Sequence, residues 1–286
     1  MQIGFIGVGQ MGGGLARNLI RAGKTVLVHD LNPEAVKATL AAGTTGRAAA
    51  SLDELASADV VFTSLPLPQH LESVMLGATG LLAKMRKGAT YIDVSTIDPG
   101  TARKLSDAAE AKGIDFLECP LGKTPAHAEK AEEPIFVGGS KAVYEKMLSL
   151  LQIVGKPVYY LGEVEASCAL KLISNLVGMT NLAVLAEGVR IGEKAGIEPK
   201  YLIELLNDTG AKSFQMDVRG PWIAAGDFKS RFGLDLALKD VRLGCEMAKA
   251  WGNDAKTMQV ALDYLKRGSE AGHGKEDCNA MYKVIK

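Results

Sequence analysis

A cluster of glycines set between a strand and a helix constrains this chain more than any other feature. Gly7, Gly9 and Gly12 in GVGQMG form GxGxxG, directly after the apolar run QIGFIG and at the opening of a helix-period segment. Of the 32 glycines, six fall within the first fourteen residues, so the crowding is local. Each glycine meets a separate physical demand, with a tight turn at Gly7, close backbone approach to a pyrophosphate at Gly9, and helix-to-strand packing at Gly12. An ordinary glycine-rich turn would show the same spacing. Asp30 argues against that reading, because it ends the second strand-like run, TVLVHD, 21 residues beyond Gly9. A carboxylate there accepts hydrogen bonds from an adenosine ribose diol. It would also repel a 2′-phosphate, and LNPEAV after it offers no Arg, so NAD(H) is expected over NADP(H). Gln10 and Met11, inside the same motif, are counted with the cofactor-binding residues.

The rest of the first half repeats the strand–helix alternation. QIGFIG, TVLVHD, DVVFTSLP, TYIDVS, DFLECP, PIFVGG and PVYYL are short apolar runs, separated by helical segments such as 10–22, 33–42 and 101–112. This is the sequence form of βαβ units around a mostly parallel sheet. Beyond Leu161 the pattern reads as helices only, near 166–194, 198–207, 234–251 and 255–271, with a short last one. The expected fold is α/β: an N-terminal Rossmann domain with a mostly parallel, doubly wound sheet (residues 1–163), followed by an all-helical C-terminal domain (164–286).

Between Ala166 and Ala186 the only charged residue is Lys171, on a helix whose leucines and isoleucine imply extensive burial. A lone lysine there costs free energy unless it lines a cavity. Ser167, Lys171, Ser174, Asn175 and Gly178 fall within about 100° of one another, which makes one polar face. A lysine whose stem packs while its head reaches water fits equally well. Desolvation nonetheless suits lysine to proton exchange with an alcohol or carbonyl oxygen.

Composition excludes several classes. Lys+Arg 33 balances Asp+Glu 33, leaving no electrostatic pull toward nucleic acid or anionic lipid. Cys119, Cys168, Cys245 and Cys278 lack CxxC pairing or histidines at zinc-ligand spacing, so no metal site and a reducing compartment are expected. The chain shows no basic leader, and the 166–186 stretch reads as too polar to span a membrane; a cytoplasmic protein is expected.

Taken together, FIGVGQMG, SLP at 64–66, DVSTIDP at 93–99, Lys171 with Asn175, LALKD at 236–240 and the closing GHGKEDCNA resemble the β-hydroxyacid dehydrogenase family, which includes 3-hydroxyisobutyrate dehydrogenases. The resemblance spans nearly the whole chain. It implies an active site in the cleft between the two domains, Lys171 as catalytic acid/base, and Asn175 as a catalytic residue holding substrate. It places Ser95 and Thr96 beside nicotinamide and substrate, Leu65 and Pro66 along the cofactor, and Lys239 reaching in from a later helix. It further implies a homodimer or homotetramer acting on a small anionic substrate. Two other readings stand beside these: Ser95 capping the helix after Pro99, and Lys239 with Asp240 as a solvated pair. His29, His70, His127 and His273 occupy no catalytic position of the family.

One segment departs from the family pattern. Where most relatives carry Ser-Gly-Gly after the fifth strand, this chain has Gly122, Lys123 and Thr124 within CPLGKTPAHAEKAEEP. The replacement resembles the Gly-Arg-Thr-Ser loop of sulfolactaldehyde reductases, with a point charge in place of a bidentate fork. Lys123 could equally be a solvated loop residue. The function this implies is NAD(H)-linked interconversion of a short aldehyde acid, carboxylate or sulfonate, and its hydroxy acid. The alternatives are a non-catalytic dinucleotide-binding interaction protein, or an imine reductase.

Overall fold

Strand β1 (Gln2–Ile6) is four-fifths buried and runs straight into the glycine turn, after which α1 (Gln10–Arg21) begins. The computed structural model describes residues 1–286. The alternation continues through β2 (Thr25–His29), α2 (Pro33–Leu40), β3 (Gly46–Ala48), β4 (Val60–Thr63), α3 (Pro68–Met75), β5 (Thr90–Asp93), α4 (Pro99–Glu110) and β6 (Asp115–Glu118). A short helix α5 (Pro125–Ala128), then β7 (Ile135–Gly139), α6 (Lys141–Val154) and β8 (Val158–Gly162), complete it. Helices α2, α3, α4 and α5 each open on a proline, whose fixed φ and missing N–H suit the first helical position.

The eight strands form one sheet in the order β3-β2-β1-β4-β5-β6-β7-β8. Only the β6–β7 pairing is antiparallel, so β7 and β8 run opposite to the other six strands; every other pairing is parallel. The expected doubly wound sheet is therefore present. Chain direction reverses its progress between β1 and β4, and the carboxyl ends of these neighbours are where open α/β sheets hold ligands. Side chains alternate between two cores. Ile3, Phe5, Val60, Phe62 and Ile92 face one, and Ile6, Val61, Tyr91 and Phe116 the other. The three-residue edge strand β3 carries no apolar alternation, which is why the sequence pattern missed it.

Helix α7 (Val164–Lys194) follows, then α8 (Pro199–Asn207), α9 (Phe214–Ala224), α10 (Leu234–Ala250) and α11 (Lys256–Gly268), with short turns to the end. No strand occurs in this half, as expected. The sequence pattern missed α9 because Gly220 and Pro221 interrupt it. The chain divides into two compact units, Met1–Lys171 and Leu172–Lys286, and α7 contributes to both. Within the second unit Leu176, Leu182, Val189, Ala237, Val241 and Leu265 form the core. Buried Arg219 donates to Asp277 at 2.9 Å, while the amides of Arg231 and Phe232 bond the other oxygen, tying the last segment to the loop before α10.

Two expectations for α7 need correction. Ile173, Val177, Val184 and Ile191 are 45%, 44%, 60% and 69% exposed, so its apolar character is not all core. By length and composition the helix is also apolar enough to cross a membrane, since one lysine does not offset its leucines; 44% of its most apolar stretch is buried within this chain.

Candidate functional site

The glycine turn has the form a dinucleotide requires. Gly7 sits at φ +85°, and a Cβ there would lie 2.3 Å from the Ser64 carbonyl oxygen, so only glycine fits. A Cβ on Gly12 would lie 2.1 Å from the Gly7 carbonyl oxygen, so the helix can approach the strand this closely only without one. Gly9, the N-cap of α1, meets nothing within 4 Å. Its open face leaves the backbone accessible to an anion at the helix N-terminus. Gln10 is exposed and Met11 half-buried in the first turn. These residues fit a bound dinucleotide.

Asp30 stands at the end of β2, half-buried. Its Oδ2 accepts the Val8 amide at 2.7 Å and its Oδ1 the Asn32 amide at 2.8 Å. The carboxylate is thereby anchored beside the glycine turn. Leu65 and Pro66 follow β4; Leu65 Cδ2 lies 2.9 Å from the Cβ position of Gly7, and Pro66 is exposed. The first unit thus gathers the glycine turn, Asp30 and the 64–66 segment at the carboxyl ends of β1, β2 and β4.

Ser95 is only 4% exposed. Its hydroxyl donates to Asp93 Oδ1 at 2.7 Å and accepts the Leu65 amide at 2.9 Å. The alternative in which it caps α4 is incorrect. Asp98 does so, accepting the Thr101 amide at 2.9 Å, with Pro99 at the first helical position. The Asp-Pro pair in DVSTIDP carried that signal. Thr96 is half-buried next to it.

The 122–124 segment is held by its own loop. The Gly122 amide donates to the Pro134 carbonyl at 2.8 Å, and a Cβ there would meet the Pro134 ring at 2.5 Å. Lys123 is exposed, adopts φ 58°, and donates from Nζ to the Glu132 carbonyl at 3.0 Å. Thr124 Oγ1 lies 2.8 Å from His127 Nδ1, which gives that histidine a structural partner; His273 has one in Glu276.

On α7 the polar face is less uniform than its spacing implies. Ser167 is buried and donates to the Val164 carbonyl, so it takes no part in an open wall. Lys171 and Asn175 are half-buried one turn apart, and Ser174 is exposed. In the second unit Asn175 Nδ2 donates to Asp240 Oδ2 at 2.6 Å, and Lys239 Nζ lies 2.7 Å from Asp240 Oδ1. Lys239 and Asp240 are 8% and 3% exposed, so their pair is buried rather than solvated.

Three acidic residues escaped the sequence reading. Asp93 and Glu118 end β5 and β6 and are fully buried; Glu133 is buried in the loop before β7. The only signal was a carboxylate closing an apolar run, in TYID and DFLE. Burial, reinforced by the charge of Asp93, pushes the Glu118 carboxyl well above the carboxylate range. The thiols of Cys119 and Cys168 are raised by burial beside it, and none of the four cysteines forms a disulfide.

Comparison with known proteins identifies the family of this fold. A family model described as the NAD binding domain of 6-phosphogluconate dehydrogenase matches residues 2–162. A second, the NAD-binding part of NADP-dependent 3-hydroxyisobutyrate dehydrogenase, matches residues 166–285. The 2-(hydroxymethyl)glutarate dehydrogenase of Eubacterium barkeri is 35% identical over 286 residues, 99% of this chain and 94% of that protein. The chain belongs to the β-hydroxyacid dehydrogenase family. Within that family, a 3-hydroxyisobutyrate dehydrogenase of Pseudomonas aeruginosa is 33% identical, covering 99% of this chain and 98% of its own length. The crystal structure of a 3-hydroxyisobutyrate dehydrogenase from Salmonella typhimurium superposes with a TM-score of 0.90 at 28% identity, covering all of both chains. This β-hydroxyacid dehydrogenase is an NAD-dependent enzyme, and its general reaction interconverts hydroxy acids and semialdehydes.

Proposed function

We propose that this dehydrogenase reduces a short aldehyde acid, with a carboxylate or a sulfonate end and sulfolactaldehyde among the candidates, to its hydroxy acid, and catalyses the reverse. In this reading NAD(H) is preferred to NADP(H), and Lys171 is the general acid/base. The observation that carries it is the half-buried Lys171, one helical turn from Asn175, on a stretch with no other charge between residues 166 and 186.

Gly7, Gly9, Gln10, Met11 and Gly12 would hold the pyrophosphate end of the cofactor, and Asp30 its ribose. Leu65, Pro66, Thr96 and Lys239 are assigned to the same cofactor. When bound, the cofactor supplies the hydride in reduction and accepts it in oxidation. Lys171 Nζ gives a proton to the carbonyl oxygen as it becomes an alkoxide, and takes one from the hydroxyl in the reverse direction. Asn175 holds the substrate so that the proton path is short, an orientation effect that lowers the barrier. Gly122, Lys123 and Thr124 are assigned to the acid end, with Ser95 beside it. The left-handed backbone at Lys123 supports a shaped loop, because such a conformation costs a lysine free energy.

The functional halves are read as residues 1–163 for cofactor binding and 164–286 for the helical part. A homodimer or homotetramer is favoured by Val177, Val184 and Ile191, exposed at seven-residue intervals along one face of α7. A cytoplasmic location fits the company of metabolic dehydrogenases. The deciding experiment is a panel of short aldehyde acids and matched uncharged aldehydes, assayed with NADH and NADPH by absorbance loss. A preference for the uncharged set would overturn the substrate class.

A further inference from the structure

Thr63, Asp93 and Glu118 are the last residues of β4, β5 and β6 and are successive register partners across the sheet. All three are fully buried. Thr63 Oγ1 donates to Asp93 Oδ1 at 2.5 Å, and Ser95 Oγ donates to the same oxygen at 2.7 Å. Each hydroxyl has one proton, and each spends it on Asp93. Tyr91 OH, 2.9 Å from Thr63 Oγ1, must therefore be the donor of that contact, just as the Leu65 amide is the donor to Ser95. Every donor in the row points toward Asp93, and hydrogen bonds donated to a carboxylate favour its ionised form.

Glu118 differs. Neither of its oxygens accepts a hydrogen bond of ordinary geometry, and it lies against Asp93 and the Cys168 thiol in the first turns of α7. Asp98, Cys119 and Tyr91 are the further titratable groups around the pair. Two adjacent buried carboxyls cannot both ionise at modest cost, because neither burial nor mutual repulsion tolerates the second charge.

We propose that Asp93 and Glu118 form a carboxyl pair holding a single proton, in which ionised Asp93 fixes Ser95 and through it the Leu65 amide, while neutral Glu118 keeps the site to one charge. Ser95 then acts as a positioning residue: its proton is committed to Asp93, and its role is to set the 64–66 segment. This rests on the reading of Leu65 and Pro66 as cofactor neighbours.

Two measurements test it. Infrared spectra of the full enzyme at pH 8 contain the carbonyl stretch of a neutral carboxylic acid, which disappears in Glu118→Gln; a wild-type spectrum without that difference overturns the pair. NADH binding, followed by fluorescence, weakens roughly 5- to 150-fold in Asp93→Asn, the range for losing hydrogen bonds to a charged acceptor. Should Asp93→Asn fail to fold, Ser95→Ala keeps both carboxyls, removes the Ser95 bonds to Asp93 and Leu65 together, and weakens NADH binding in the same direction. Unchanged NADH affinity in Ser95→Ala overturns the positioning role. Wild-type enzyme that binds no NADH would instead overturn the cofactor reading itself.

Discussion

Asn175 Nδ2 donates to Asp240 Oδ2 at 2.6 Å, and that contact fixes which way the amide faces. A carboxylate only accepts, so the nitrogen must point at it and Oδ1 is turned away. Asn175 keeps Oδ1 as an acceptor and its second N–H as a donor, a pairing that suits a substrate hydroxyl. Asn175→Ala is expected to lower kcat/KM by roughly 5- to 150-fold, the range of one well-placed hydrogen bond, with NADH affinity close to wild type. Steady-state kinetics alongside fluorescence titration would separate the two, and an equal loss of NADH affinity would assign Asn175 to the cofactor.

Lys171 is expected to serve the chemical step alone, because the glycine turn, the element assigned to cofactor binding in the proposed function, lies elsewhere in the chain. Lys171→Ala should lose turnover by about 10²- to 10⁴-fold, the usual range for general acid–base catalysis, at nearly unchanged NADH affinity. Retention of more than about a tenth of kcat would remove lysine from the mechanism.

Asp30 is expected to set cofactor choice. Its carboxylate is held by the Val8 and Asn32 amides, so it cannot swing away from a 2′-phosphate without breaking both bonds. Wild-type enzyme should show higher kcat/KM with NADH than with NADPH, and Asp30→Ala should narrow the ratio. A wild-type preference for NADPH contradicts the assignment.

Lys123 donates to the Glu132 carbonyl, so binding an acid group means exchanging a neutral acceptor for a charged one. Lys123→Ala should raise KM for aldehyde acids by about 5- to 150-fold and barely alter it for an uncharged aldehyde of similar size. Equal effects on both substrates, or none on either, would leave Lys123 as a loop residue.

Glu133 gives the fold a pH dependence. Burial pushes its carboxyl up to about 7, partly opposed by its own backbone amide and by the charge of Lys123. The folded state keeps the proton to higher pH than the unfolded chain, where the carboxyl titrates near 4.5. Stability from this group is therefore lost as pH rises from about 4.5 to about 7, by on the order of 3 kcal/mol, and is level above. Urea unfolding at pH 5 and pH 8 should show that decline in wild type and a flatter profile in Glu133→Gln. Parallel profiles would falsify the assignment.

The strand–helix alternation, the glycine turn, the position of Asp30 and the change to helices beyond Leu161 are legible in the residues alone. Each is a local property: periodicity, a glycine where a Cβ cannot fit, a carboxylate ending a strand. Tertiary structure decided what depends on neighbours distant in the chain. Ser95 is buried against Asp93 and Leu65 rather than capping α4 because β4 and β5 pair in register. Lys239 is buried with Asp240 because α10 packs through Ala237 and Val241 into the helical core. The carboxyls of Asp93 and Glu118 meet only because β5 and β6 end side by side, 25 residues apart in sequence. No pattern of residue types within one segment records such a meeting, since the sheet supplies the neighbour and burial supplies its energetic consequence.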